Sequence, residues 1–296
     1  MSTTQLAPPR DAIADAVSLV DRVCLEATDL RVRYGPREVL RGISLSIAAG
    51  EFAVLIGPNG SGTSTLLRTL IHLVKPAAGT VCFDGSELGS ISSRELARRI
   101  AYLPQAPEGP PDLTVDELVW RGRYPNRGLF SSASAEDRTA VDRALEWASM
   151  SDLRERALAT LSGGEHQRAW IAMSLAREPD VLLLDEPTTF LDIGHQADLL
   201  QLLTRLNEER GLTVVMVLHD VTQAAHYARR VIALRDGEIR HDGAPEDVVT
   251  AAHIAELFDA EVSVLVDPVS GTPVIVPALP GGKEVGALPG RGEARW

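Results

Sequence analysis

The feature that most limits what this chain can become is the glycine-rich run Gly57-Pro58-Asn59-Gly60-Ser61-Gly62-Thr63-Ser64. It follows the apolar run Phe52 to Ile56 and precedes Ser64-Thr65-Leu66-Leu67-Arg68-Thr69-Leu70-Ile71, whose apolar spacing is helical. A buried strand, a glycine turn and a helix in that order make a loop able to cradle phosphate. Glycines let backbone N–H groups converge on phosphate oxygens, and the helix adds the positive end of its dipole. The spacing G-x-x-x-x-G fits such a loop; the G-x-G-x-x-G order of dinucleotide-binding turns does not. Ser64 stands where a hydroxyl would ligate Mg²⁺. Thr63 stands where the pattern calls for lysine, and threonine brings neither charge nor reach to a polyanion. Taken alone, the segment reads equally well as a flexible Gly/Ser loop.

Composition sharpens the matter of the lysine. Lys75 and Lys283 are the only lysines among 296 residues, so arginine makes up nearly all of the 29 basic side chains. Lys75 lies beyond the helix that follows the loop, and Lys283 lies near the C-terminus. Arg68 is closer, but it sits about 7.5 Å up the helix axis and would have to fold back. The 41 acidic residues give a net charge of −12, which speaks against a nucleic-acid partner. The longest apolar runs, such as Val214 to Leu218, are far shorter than the ~20 residues of a membrane span. The N-terminal segment has no basic cluster leading into an apolar stretch, so no secretory signal is expected. Cys24 and Cys82 are distant in sequence, and Cys82, in the strand-like Thr80-Val81-Cys82-Phe83, reads as a small buried thiol, which points to a reducing, cytoplasmic setting.

Along the chain, residues 1–26 read as a loosely attached extension. Strands are expected at Leu30–Arg33 and Val39–Ile47, with Gly35-Pro36 turning between them. Residues from about 94 to 160 read as an inserted helical subdomain with a loop-rich middle. Beyond it, helices at 163–177 and Gln196–Glu209 alternate with buried strands at Val181–Asp185 and Thr213–Leu218. That alternation predicts a mainly parallel sheet covered on both faces. Residues 261–279 read as a strand hairpin and 280–296 as a flexible tail.

Further along lie other motifs with chemistry in them. Leu161-Ser162-Gly163-Gly164-Glu165 is a second glycine turn opening a helix, able to bind an anion or simply to supply a Ser N-cap. Val181-Leu182-Leu183-Leu184 ends in Asp185-Glu186-Pro187, where paired acids suit a Mg²⁺ partner, Asp185, and a residue that orients or activates water, Glu186. A solvated strand end is the plainer alternative. Taken with Gln105 in Tyr102-Leu103-Pro104-Gln105, with Thr189-Phe190-Leu191-Asp192 and with His219 in Val217-Leu218-His219-Asp220, the series resembles the nucleotide-binding subunits of ATP-binding-cassette transporters. The resemblance covers residues 27 to about 278.

The resemblance implies an ATPase domain over residues 27–260 with an α/β fold: a P-loop NTPase core of mainly parallel sheet, N-terminal antiparallel strands and the inserted helical subdomain. It implies ATP and Mg²⁺ as cofactors, with Gly57, Pro58, Asn59, Gly60, Ser61, Gly62, Thr63, Ser64 and Thr65 around the phosphates and Tyr34 stacked on adenine. Ser64, Gln105 and Asp185 would serve the metal, and Glu186, His219 and Gln105 the hydrolysis. Ser162, Gly163 and Gly164 would face the nucleotide of a second copy in a head-to-tail homodimer, and Asp192 would couple the two sites. Implied partners are integral membrane permease subunits and, indirectly, a substrate-binding protein, with the chain at the cytoplasmic face of the membrane. Asp116 to Pro125, Gln167 to Met173, Thr188 to Ile193 and the Asp267 to Pro273 turn are similar to ATPases of ferric-siderophore, haem and cobalamin importers. Against that frame the missing lysine predicts weak Mg-nucleotide binding and strongly reduced hydrolysis. A degenerate nucleotide-binding module acting in regulation or assembly is the alternative.

Overall fold

The computed structural model describes residues 22–127 and 132–278. Strand β1 (Val23–Tyr34) turns at Gly35 into β2 (Arg37–Ala48), and β3 (Phe52–Ile56) leads through the glycine loop into α1 (Thr63–Leu70). Then come β4 (Ala78–Phe83), the short β5 (Ser86–Glu87), α2 (Ser93–Arg99), β6 (Ile100–Leu103), α3 (Val115–Arg121), α4 (Ala135–Trp147) and α5 (Gly163–Leu175). The remainder alternates: β7 (Val181–Asp185), α6 (Ile193–Arg210), β8 (Thr213–Val217), α7 (Val221–Tyr227), β9 (Arg230–Arg235) and β10 (Glu238–Gly243). Helices α8 (Pro245–Val248) and α9 (Ala251–Phe258) precede a closing hairpin of β11 (Val262–Val266) and β12 (Pro273–Pro277).

The central sheet has the order β10-β9-β3-β8-β7-β6 and is parallel except at the β9/β10 pair. Its inner strands are buried along their whole length, and their alternate residues feed two separate cores. Phe52, Val54, Leu182, Leu184, Val214 and Met216 join α3 to α7 on one face. Ala53, Leu55, Val181, Leu183, Val215 and Val217 join α1 and the antiparallel sheet β2-β1-β4-β5 on the other. Because every strand of the parallel run points the same way, the ends of β3, β6, β7 and β8 open on one rim, where the glycine loop, Gln105, Asp185 and His219 follow them.

Two sequence expectations need correction. Residues 23–26, placed with the N-terminal extension, are paired in β1, since Leu25 lies opposite both Ile47 and Phe83. Ile100–Leu103, placed within the helical subdomain, is an edge strand of the central sheet, paired residue for residue with Val181–Leu184. The helix α2 runs directly into it, which hid a four-residue strand behind a helical pattern. The rest of the expected extension, residues 1–21, and the expected tail at 280–296 lie outside the described residues. Among those described, no helix is long and apolar enough to cross a membrane.

Candidate functional site

The glycine loop is shaped by steric necessity at two points. A Cβ at Gly57 would lie 2.3 Å from the Leu234 carbonyl oxygen, and one at Gly62 would lie 2.8 Å from Leu40 Cδ2. Gly62 also takes φ +105°, a conformation closed to side-chain-bearing residues, and it caps α1 without any side-chain hydrogen bond. The first turn of α1 holds no acidic residue, so its free amides keep their attraction for an anion. Ser61 is buried and its Oγ has no hydrogen-bond partner among the described residues. A cradle closed to side chains, an uncapped helix end and an orphaned hydroxyl fit a bound phosphate group. Thr63, half-buried as the first residue of α1, adds no charge to it.

Asp185 closes the floor of this loop. Its carboxylate is 1% exposed and accepts hydrogen bonds from the Ser64 hydroxyl at 2.7 Å, the Arg68 Nη2 at 3.2 Å and the Tyr102 hydroxyl at 3.1 Å. Arg68 also donates through Nε to the Tyr102 oxygen at 3.2 Å. The side chain therefore does fold back: it reaches across from the far end of α1 to the tip of β7. The Tyr102 hydroxyl and the Asp185 carboxylate hold the guanidinium above its usual pKa against a smaller opposing effect of burial. Burial, with the negative charge of Asp185, pushes the Tyr102 phenol upward, so it stays a proton donor. Ser64 and Asp185 are hard oxygen donors, a set that suits Mg²⁺.

Glu186 is held by a separate group of residues. It takes φ +51° at the turn after β7, a strained value for a residue with a side chain. Its Oε1 lies 2.6 Å from His219 Nε2, while its Oε2 accepts from Gln105 Nε2 at 2.5 Å and from the Thr189 hydroxyl at 3.2 Å. The acid is thus fixed from β6, from β8 and from its own turn. Tyr34, at the end of β1, is half exposed. Its hairpin neighbour Arg37 brings Nη2 to 3.6 Å from where a Cβ on Gly60 would stand. Sequence reading missed this second cation beside the loop, because only the fold brings the β1/β2 turn to the glycines.

The Ser162 segment and Asp192 lie together but in another group. Ser162 caps α5 in a reciprocal box with Glu165. A Cβ on Gly164 would lie 2.2 Å from the His195 ring, and one on Gly163 would lie 3.4 Å from Leu191. Asp192 caps α6 through the His195 amide and also meets His195 Nδ1 at 2.8 Å. The His195 amide first, then its ring, hold the Asp192 carboxyl below its ordinary pKa. Phe190, beside it, is 91% exposed and takes φ +65°. Gln196 donates to the Leu191 carbonyl at 3.0 Å and so holds the segment before Asp192, while Ser162 is exposed at the surface of the patch.

A mainly parallel sheet with a glycine loop and an acid pair at its strand ends is the architecture of P-loop NTPases. The sequence profile described as ABC transporter matches residues 40–189. The ferric enterobactin transport ATP-binding protein FepC of Escherichia coli (strain K12) is 48% identical over 253 residues, covering 86% of this chain and 93% of that one. The probable siderophore transport system ATP-binding protein YusV of Bacillus subtilis (strain 168) is 45% identical over 248 residues, 84% of this chain and 90% of that one. Among solved structures, an inward-facing putative metal-chelate type ABC transporter superposes with a TM-score of 0.76 at 25% identity, over 87% of this chain and 98% of that one. The dimeric bacterial cassette MJ0796 superposes with a TM-score of 0.65 at 32% identity, over 74% and 98%. The chain belongs to the ABC transporter family, as one of its ATP-binding proteins.

Proposed function

We propose that this chain is the ATP-binding subunit of an importer for a metal chelate such as an iron–siderophore complex, with hydrolysis impaired by Thr63. It works as a homodimer attached to integral membrane permease subunits at the cytoplasmic face, and a substrate-binding protein delivers the chelate to the permease. The names of FepC and YusV support the chelate. The observation that carries the catalytic part is the division of labour between adjacent acids: Asp185 is bound to Ser64, and Glu186 to His219 and Gln105.

In this reading the amides of residues 57–65 grip the phosphates and Tyr34 stacks on the adenine. Ser64 and Asp185 would hold Mg²⁺, and Gln105 would serve it too; when bound, the ion would supply positive charge to the phosphate oxygens. Glu186 accepts the proton of the attacking water, and His219 and Gln105 fix the direction of its two oxygens. Ser162, Gly163 and Gly164 of each copy complete the site of the other, and Asp192 ties that patch to α6.

Thr63 removes one charge-assisted phosphate contact, worth roughly 1.5–3 kcal/mol of nucleotide binding. Loss of comparable transition-state stabilisation slows turnover by about 10²–10³-fold. Turnover of Mg-ATP by the full chain and its Thr63→Lys variant tests this directly. The variant should be faster by that factor, and equal rates would refute the impairment. Thr63 also favours a second reading, a regulatory or assembly module that binds ATP without productive hydrolysis. ATP binding with no turnover in either protein would favour it.

A further inference from the structure

We propose that Arg68 is the resident cation of this site, standing at Asp185 where the family arrangement relies on lysine and the divalent ion, and so making nucleotide binding less dependent on Mg²⁺. The inference rests on the nucleotide-binding reading of the glycine loop. Three observations carry it. Asp185 is a buried carboxylate, which is costly without a counter-charge. Arg68 is the one cation paired with it among the described residues, at 3.2 Å. Thr63 supplies no charge, and neither lysine of the chain lies on the loop or on α1.

The geometry gives Arg68 a defined place. Its guanidinium and the Tyr102 hydroxyl both take Oδ2 of Asp185, leaving Oδ1 turned to Ser64, where the metal would be held. Arg68 is 44% exposed, so its charge is also open to solvent. A fixed positive charge beside a dication site acts with one sign on each ligand: it attracts the nucleotide polyanion and repels the dication. Removing it should weaken ATP binding in the absence of Mg²⁺ and strengthen the coupling between ATP and Mg²⁺. Arg68 is a positioning residue on this view, acting through Asp185 and through its field.

Titration calorimetry of the full chain with ATP, once in EDTA and once in excess Mg²⁺, tests the proposal through the ratio of the two Kd values. Arg68→Met and Arg68→Gln should each raise that ratio by about tenfold, the size of one charge-assisted contact. Arg68→Lys, which keeps the charge, should hold it near the wild-type value. Thermal melts identify variants that fold, and either neutral variant suffices. A purely structural role for Arg68 would weaken both affinities together, and the unchanged ratio would overturn the proposal. Wild-type binding that vanishes in EDTA would overturn it as well. No wild-type binding even with Mg²⁺ would instead overturn the nucleotide-binding reading.

Discussion

At the scale of single residues, burial makes Cys24 a measurable feature. The side chain is 5% exposed, and burial pushes its thiol up to about 11 against the opposing hydrogen bond with the Thr213 hydroxyl. Between pH 9 and 11 the unfolded chain releases this proton while the folded chain retains it, so stability falls with rising pH in that window. Two pK units correspond to roughly 2 to 3 kcal/mol at most. Denaturant melts at pH 8.5 and 10.5 should show that the loss is smaller in Cys24→Ala; an equal loss would remove the thiol as its cause. Residues such as Ser64, Asp185, Glu186 and His219 could be picked out from the sequence because their motifs are local. Arg68 could not be placed that way. Its position depends on β6 and β7 bringing Tyr102 and Asp185 to α1, three segments far apart in the chain.

At the scale of elements, a buried ion pair joins α3 to α4 within the helical subdomain, and its arginine also holds the segment that leads from α5 into β7. Arg123, just after α3, donates to Asp137 of α4 at 2.9 Å and to the Ala176 carbonyl at 2.8 Å, and it reaches Glu178 at 3.2 Å. Burial works to raise the Asp137 carboxyl, but the Ser134 amide and the Arg123 guanidinium outweigh it and leave it below its ordinary pKa. The resulting stabilisation is full above the unfolded pKa near 3.8 and is lost as pH falls through the lower folded value. Arg123→Ala strands a buried carboxylate and should cost about 3–5 kcal/mol in urea unfolding. A cost below about 1 kcal/mol would show that the pair is not needed. Sequence periodicity marks α3, α4 and α5 as helical, but it carries no sign of this arginine, whose partners lie 14 and 55 residues away. Strand β6 was missed for a related reason: Ile-Ala-Tyr-Leu acquires its strand character from β7 alongside it.

At the scale of the whole molecule, the two cores share the same strands, so the central sheet joins the helical layer on one face to the antiparallel sheet on the other. The Ser162 turn and the Asp192 segment lie on one side of it, packed against each other through Gly164 and His195. If they meet the nucleotide of a second copy, ATP should drive association. Light scattering should find Glu186→Gln, which removes the proposed proton acceptor, dimeric with ATP and monomeric without it. Persistence of the monomer at saturating ATP would count against the head-to-tail dimer. The carboxyl-terminal hairpin adds something of a different kind. The Ile275 amide donates to the Thr222 hydroxyl at 3.2 Å, and Thr272 lies 3.4 Å from His226, so the hairpin is rooted on the helix that follows His219. Val269, 93% exposed in the turn of this hairpin, is therefore a natural attachment point for a fluorescent dye, an observation post close to that helix from which movements beginning at the candidate site can be watched without altering a site residue.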